Sequence, residues 1–191
     1  MKTEAKIFSA LAFFILTLSA EAQLSAEIDR VKIEKLKTPR FGLAEELKRP
    51  TKPENWSEIE VEFVLSGTAE NEIAPQIAVD FYVVLSDGSV LYRQVVYENL
   101  LLREETFASV FISPDGLRAL RIGENPGISI IGAGAEISDS TGEILATESS
   151  AGDLVSPAKA NPKRIAGVLR KKSQTPFASL WWDRYAEEKL D

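Results

Sequence analysis

Three glutamates, Glu58, Glu60 and Glu62, stand at alternate positions in the run EIEVEFVLSG. On a strand that spacing places all three carboxylates on one face, with about 7 Å between neighbours. Such a row reads either as a cation site, as an electrostatic docking face, or as an ordinary solvated sheet face. Its opposite in charge is the stretch Lys159 to Lys172, which holds six basic residues and no acidic one. That run suits attachment to an anionic polymer, an envelope surface or an acidic partner, or docking on the chain's own body. Further on, Phe177, Trp181 and Tyr185 recur at i, i+4 and i+8 with Trp182 beside them. On a helix they form one apolar stripe that water does not accommodate cheaply. Phe177, Trp181, Trp182, Tyr185, Arg170, Lys171 and Lys172 are therefore the candidate interaction residues.

Absences restrict the chemistry further. The 191 residues include no histidine and no cysteine. Histidine general bases, Ser-His and Cys-His nucleophile pairs, imidazole metal sites and disulfides are all excluded. The carboxylates lack metal-loop spacing, and the glycines Gly132 and Gly134 lack the third glycine and the following helix that a phosphate loop requires. No catalytic residue, cofactor-binding residue or metal ligand is assigned, and the chain is expected to be no enzyme and to carry no cofactor. Carboxylate-pair glycosidase chemistry is the one route that these absences leave open in principle.

The elements that must position the candidates follow from periodicity. Met1 to Ala22 carries Lys2 and Lys6, an apolar run from Ile7 to Leu18 and the small-x-small ending Ala20-Glu21-Ala22, the pattern of a secretory signal peptide. The run is too short for a comfortable membrane span, so an exported protein without stable membrane insertion is expected, located in the periplasm, at the cell surface or outside the cell. Val31 and Ile33 alternate with charged residues in a first, edge-like strand over Arg30–Leu36. A proline-rich connection follows, with one helical turn expected at Ala44–Lys48 and Trp56 packing at its end. Ile59, Val61, Phe63 and Leu65 mark the next strand. Ile77 to Tyr97, with Ser86-Asp87-Gly88-Ser89 at its centre, reads as a hairpin closed by a type I′ turn. Thr106–Ile112 carries apolar residues on both sides, Ile128–Ser138 and Glu143–Ser149 form a last hairpin, and a short helical crossing is expected over Gly116–Ile122.

Seven short strands without strand-helix alternation describe an all-β fold, an immunoglobulin-like antiparallel β-sandwich of about seven strands, with a jelly roll or open barrel as the alternative. Ile59, Val61, Phe63, Val79, Phe81, Val83, Phe107, Phe111 and Ile130 are expected in one core. The organisation is thus a signal peptide over 1–22, a sandwich domain over 23–150, and a basic linker with an aromatic C-terminal helix over 151–191. Thr175 is the expected N-cap and Pro176 the first helical residue. The net charge is −7. Residues 23–156 hold 12 basic and 23 acidic residues, and residues 157–191 hold 8 and 4. That balance argues against nucleic-acid binding.

Arg49 to Phe63, RPTKPENWSEIEVEF, and Gln174 to Glu187, QTPFASLWWDRYAE, resemble segments of small exported immunoglobulin-like proteins of Verrucomicrobia-type bacteria, some encoded beside type IV pilus genes. The resemblance implies a non-enzymatic envelope or pilus-associated protein of this fold and supplies no functional residues. Two readings of function stand beside each other. One is a structural or interaction protein that assembles through its aromatic tail or strand edges, on an envelope or pilus partner or on a second copy, with the tail favoured to seat on a neighbour. The other is a carbohydrate- or ligand-binding sandwich, whose exposed aromatics would be Trp56, Tyr82, Tyr92 and Tyr97.

Overall fold

Alternation of apolar and charged residues dictates the first sheet. Strand β2 (Asn55–Ser66) turns Ile59, Val61, Phe63 and Leu65 fully inward and its glutamates outward. It pairs antiparallel with β1 (Ser25–Lys37) on one side. On its other side lies a strand at Glu105–Ile112. In the computed structural model, which describes residues 24–39, 53–67 and 72–189, β1 is an edge strand and begins earlier than its alternation suggested. The expected signal peptide and the helical turn at Ala44–Lys48 lie outside the described residues.

Chain order continues through β3 (Ile73–Ala74), β4 (Ile77–Leu85), β5 (Val90–Glu98), β6 (Leu100–Leu101) and β7, the Glu105–Ile112 strand. Ile77, Val79, Phe81, Val83 and Leu85 of β4 are at most 1% exposed, so the purely apolar face is the core face. The β4–β5 turn departs from type I′. Gly88 has a φ of +82°, and Asp87 is not among the residues with positive φ. Asp87 instead accepts the Ser89 amide on its carboxylate at 2.9 Å, and Gly88 donates to Leu85 O at 3.0 Å. A longer loop with one left-handed glycine results.

After β7 comes α1 (Pro114–Ala119), capped by Ser113 Oγ accepting the Gly116 amide at 3.1 Å. Strands β8 (Ile130–Ser138) and β9 (Ile144–Ser149) complete the last hairpin. The second sheet has β5-β4-β8-β9 as its main run and the first has β1-β2-β7. The chain crosses from β2 to the second sheet, returns to lay β7 beside β2, and crosses again to lay β8 beside β4, so that two sheets pack as an all-β sandwich. The seven long strands, β1, β2, β4, β5, β7, β8 and β9, and most of the expected core follow the sequence reading. Phe107 and Phe111 do not join the central cluster. Ala108, Val110 and Ile112 are the residues of β7 that face it, and Ile130 only packs against its margin.

Residues 151–163 are more than a linker. Helix α2 (Val155–Ala160) lies on the outer face of β8 and β4, where Val155 and Ala158 pack with Tyr82 and Val90. It approaches so closely that a Cβ on Gly134 would lie 2.5 Å from Val155 Cγ2, and one on Gly132 would lie 2.6 Å from Leu154 Cδ1. These glycines thin the strand for a packed neighbour.

Candidate interaction surface

The candidate residues lie in a C-terminal segment that laces the two sheets together. Strand β10 (Arg164–Ile165) runs parallel to β5 at Val90 and Leu91. Strand β11 (Leu169–Lys171) crosses to the other sheet and pairs with β7. A 3₁₀ turn at Lys172–Gln174 follows, and β12 (Glu187–Glu188) returns to β5 at Glu98 and Tyr97. Over residues 175–189 the expected aromatic helix is therefore not formed, and the segment docks on its own chain.

The reason lies in where its polar groups find partners. Thr175 does cap a turn, accepting the Phe177 amide at 3.2 Å, but the turn does not propagate. The carbonyls of Ala178 and Leu180, which a helix would give to the amides four residues on, instead accept from Lys172 Nζ at 3.2 and 2.6 Å. The Ala186 amide leaves for Phe107 O on β7 at 2.8 Å. Trp181 then takes a φ of +51°, a left-handed conformation that no bulky residue prefers.

Two anchors hold the segment to the outer face of the first sheet. Phe177 is 2% exposed, stacked on Phe111 at 5.1 Å between ring centroids and edge-on to Trp56 at 5.7 Å. This is why Phe111 stands apart from the central core: the strand is covered on both faces, and the tail is its second cover. The other anchor is polar. Tyr185 donates its hydroxyl to Glu58 at 3.1 Å and is also hydrogen-bonded to Glu60. Arg184 pairs with Glu60 at 3.1 Å and lies 3.9 Å above the Phe107 ring. Glu58 and Glu60 are 4% and 5% exposed, so this end of the glutamate row is a docking face whose occupant is the chain's own tail. Burial pushes the Glu58 carboxyl above the ordinary carboxylate range; the Tyr185 hydrogen bond opposes the shift and the charge of Glu60 adds to it. Burial, followed by hydrogen bonding to Glu60, also raises the Tyr185 phenol well above its usual value. Lys172 lies over the Tyr185 ring at 5.0 Å, and its ammonium is shifted down by burial against the pull of Glu188 and Glu58.

The seven candidates thus fall in three places. Phe177, Tyr185 and Lys172 are consumed inside the molecule. Trp181, Trp182 and Arg170 face solvent, Trp181 at 51% exposure and Trp182 at 77%. Lys171 lies half-buried on β11. Beside Trp182 a groove of about 610 Å³ runs between Lys172, Asp183 and Glu188. Arg184, Phe107 and Phe111 are the functional partners that sequence reasoning missed; the aromatic residues at alternate positions of β7, opposite an apolar face, were the available signal. The aromatics of the ligand-binding reading form no platform: Trp56, Tyr82 and Tyr97 are buried, and Tyr92 donates to Asp80 at 2.6 Å.

A crystal structure of a protein from Akkermansia muciniphila, a member of the Verrucomicrobia, is similar to this chain. It superposes with a TM-score of 0.73 at 23% identity, covering 89% of this chain and 95% of that one. This likeness supports the fold. No curated protein matches the chain. A protein-family model matches residues 17–191, a span that contains the whole of the described sandwich and its laced tail, and the chain belongs to that family.

Proposed function

We propose that this protein is a non-enzymatic structural or interaction protein of the bacterial cell envelope, exported by its N-terminal leader and associated with pilus components. Its contact point is the pair Trp181 and Trp182. One observation carries the reading: two adjacent indoles stand in solvent on a turn that is fastened on either side, by Phe177 before it and Tyr185 after it. A rigidly presented aromatic pair loses little conformational entropy on binding, and such residues dominate the energetics of protein interfaces. The resemblance to exported proteins encoded beside type IV pilus genes supports the choice of partner.

The test is cross-linking in the native bacterial envelope fraction, comparing the wild-type chain with a Trp181→Ala, Trp182→Ala double variant. The expected result is loss of the cross-linked pilus or envelope protein with an unchanged melting temperature. Retention of the same cross-link by the double variant would overturn the assignment. A cross-link to a second copy, matched by a larger mass in light scattering, would replace the partner with self-assembly.

A further inference from the structure

We propose that the groove beside Trp182 receives an arginine side chain of the partner protein, held between the indole face and the carboxylates of Asp183 and Glu187. The inference rests on the reading of the tryptophan pair as the contact point and names what that point recognises. Three aromatic rings on the outer faces of the sandwich each carry a cation of the chain's own. Arg164 stands 4.7 Å over Tyr92, Lys172 5.0 Å over Tyr185 and Arg184 3.9 Å over Phe107. Trp182 has the ring type that attracts cations most strongly. At 77% it is also the most exposed of the described large apolar residues. Among the described residues no cation stands over it.

The charge of the groove chooses the occupant. Trp182, Asp183, Glu187 and Glu188 line it, with Lys172 as its one cation. Lys172 is 7% exposed and gives its ammonium to Ala178 O and Leu180 O, so it is committed to the tail itself. Arg184, next in sequence to Asp183, is engaged by Glu60 on the sheet face and does not line the groove. Glu188 accepts from the amide and the hydroxyl of Ser173. Glu187 spends only Oε2, on Asn99 at 2.8 Å, and Asp183 has no hydrogen bond or ion pair among the described residues. An uncovered indole and two carboxylates with acceptor capacity to spare therefore border one groove. A guanidinium lies flat on an aromatic face while its edge forks to a carboxylate, which the compact ammonium of a lysine does not do. Residues 23–156 hold 23 acidic and 12 basic residues, a surplus that draws a basic segment towards the body and repels the acidic body of a second copy.

The probe is a capped pentapeptide, Gly-Ser-Arg-Ser-Gly, titrated into the isotope-labelled full-length mature chain and followed by indole N–H and backbone amide chemical shifts. Saturable shifts centred on the Trp182 indole and on Asp183–Glu188 are expected, and they should weaken as salt is raised. Replacing the arginine by citrulline keeps the shape, removes the charge and should weaken binding about tenfold. The Asp183→Asn, Glu187→Gln double variant should weaken it to a similar extent, as should Trp182→Leu. All three side chains are exposed, so these variants should keep the wild-type melting temperature. Equal binding of the citrulline peptide, tighter binding of the lysine counterpart, shifts centred elsewhere, or no shift at millimolar peptide would each overturn the proposal. Equally tight binding of a neutral glucan oligosaccharide at the same indole would overturn it too, in favour of a sugar. In the envelope cross-linking assay the Asp183→Asn, Glu187→Gln chain should lose the cross-link. If it keeps a cross-link that the double tryptophan variant loses, the arginine inference fails and the contact point stands.

Discussion

The hydroxyl of Tyr185 is shared by Glu58 and Glu60, two like-charged neighbours on the outer face of β2, from more than a hundred residues away in the chain. One phenol and one guanidinium, from Arg184, thereby make tolerable a pair of buried carboxylates that would otherwise repel each other out of water. Four predictions follow from this clasp and its surroundings.

Tyr185→Phe removes the shared donor and keeps the ring over Lys172 and against Phe107. It should cost about 1–3 kcal/mol in urea unfolding, the range for stranding a buried acceptor. A loss under about 0.5 kcal/mol would mean that water or Arg184 satisfies both glutamates.

Glu58 makes stability depend on pH in a definite sense. Its carboxyl is raised above the ordinary value of 4.5 in the folded chain, so the folded state holds a proton that the unfolded state has released. The contribution of this group is fully present below 4.5 and is lost as pH rises through the folded value. Glu58→Gln should therefore flatten the fall in unfolding free energy on the alkaline side of pH 4.5. Urea titrations at a series of pH values check this, and an unchanged slope in the variant would count against it.

Phe177→Ala should cost about 3–5 kcal/mol, as much as Phe81→Ala in the central core. The two should be nearly additive, since Phe177 packs with Trp56 and Phe111 in a cluster separate from that of Phe81. A much smaller loss for Phe177→Ala, by chemical denaturation, would mean that the tail is dispensable to the fold.

Trp181→Gly should leave stability unchanged or raise it by about 1 kcal/mol, because glycine takes the left-handed φ of +51° without the Cβ clash and the indole is half exposed. Scanning calorimetry reads the result. A fall in melting temperature would assign the indole a packing role in place of an outward one.

What could be read from residue order alone was whatever depends on local period and local turn chemistry. The inward faces of β2 and β4 follow from alternation, because a one-residue slip would bury Glu60 or Asp80 against the other sheet. The close approach at Gly132 and Gly134 follows from the want of a Cβ. Neither the absence of a tail helix nor the burial of Glu58 follows from such rules. Phe177, Trp181 and Tyr185 have helical spacing, and propensity with capping favours a helix at Thr175-Pro176. The outer face of β7 overrides it, since Phe111 and Phe107 offer apolar area to Phe177 and Arg184, and Lys172 takes the carbonyls that a helix would need. Likewise the side of β2 that carries Glu58 reads as wet until a distant Tyr185 and Arg184 cover it. Sequence spacing therefore set each element's own faces; which of those faces met water was decided by pairings between segments far apart in the chain, where packing and hydrogen bonding outweigh local preference.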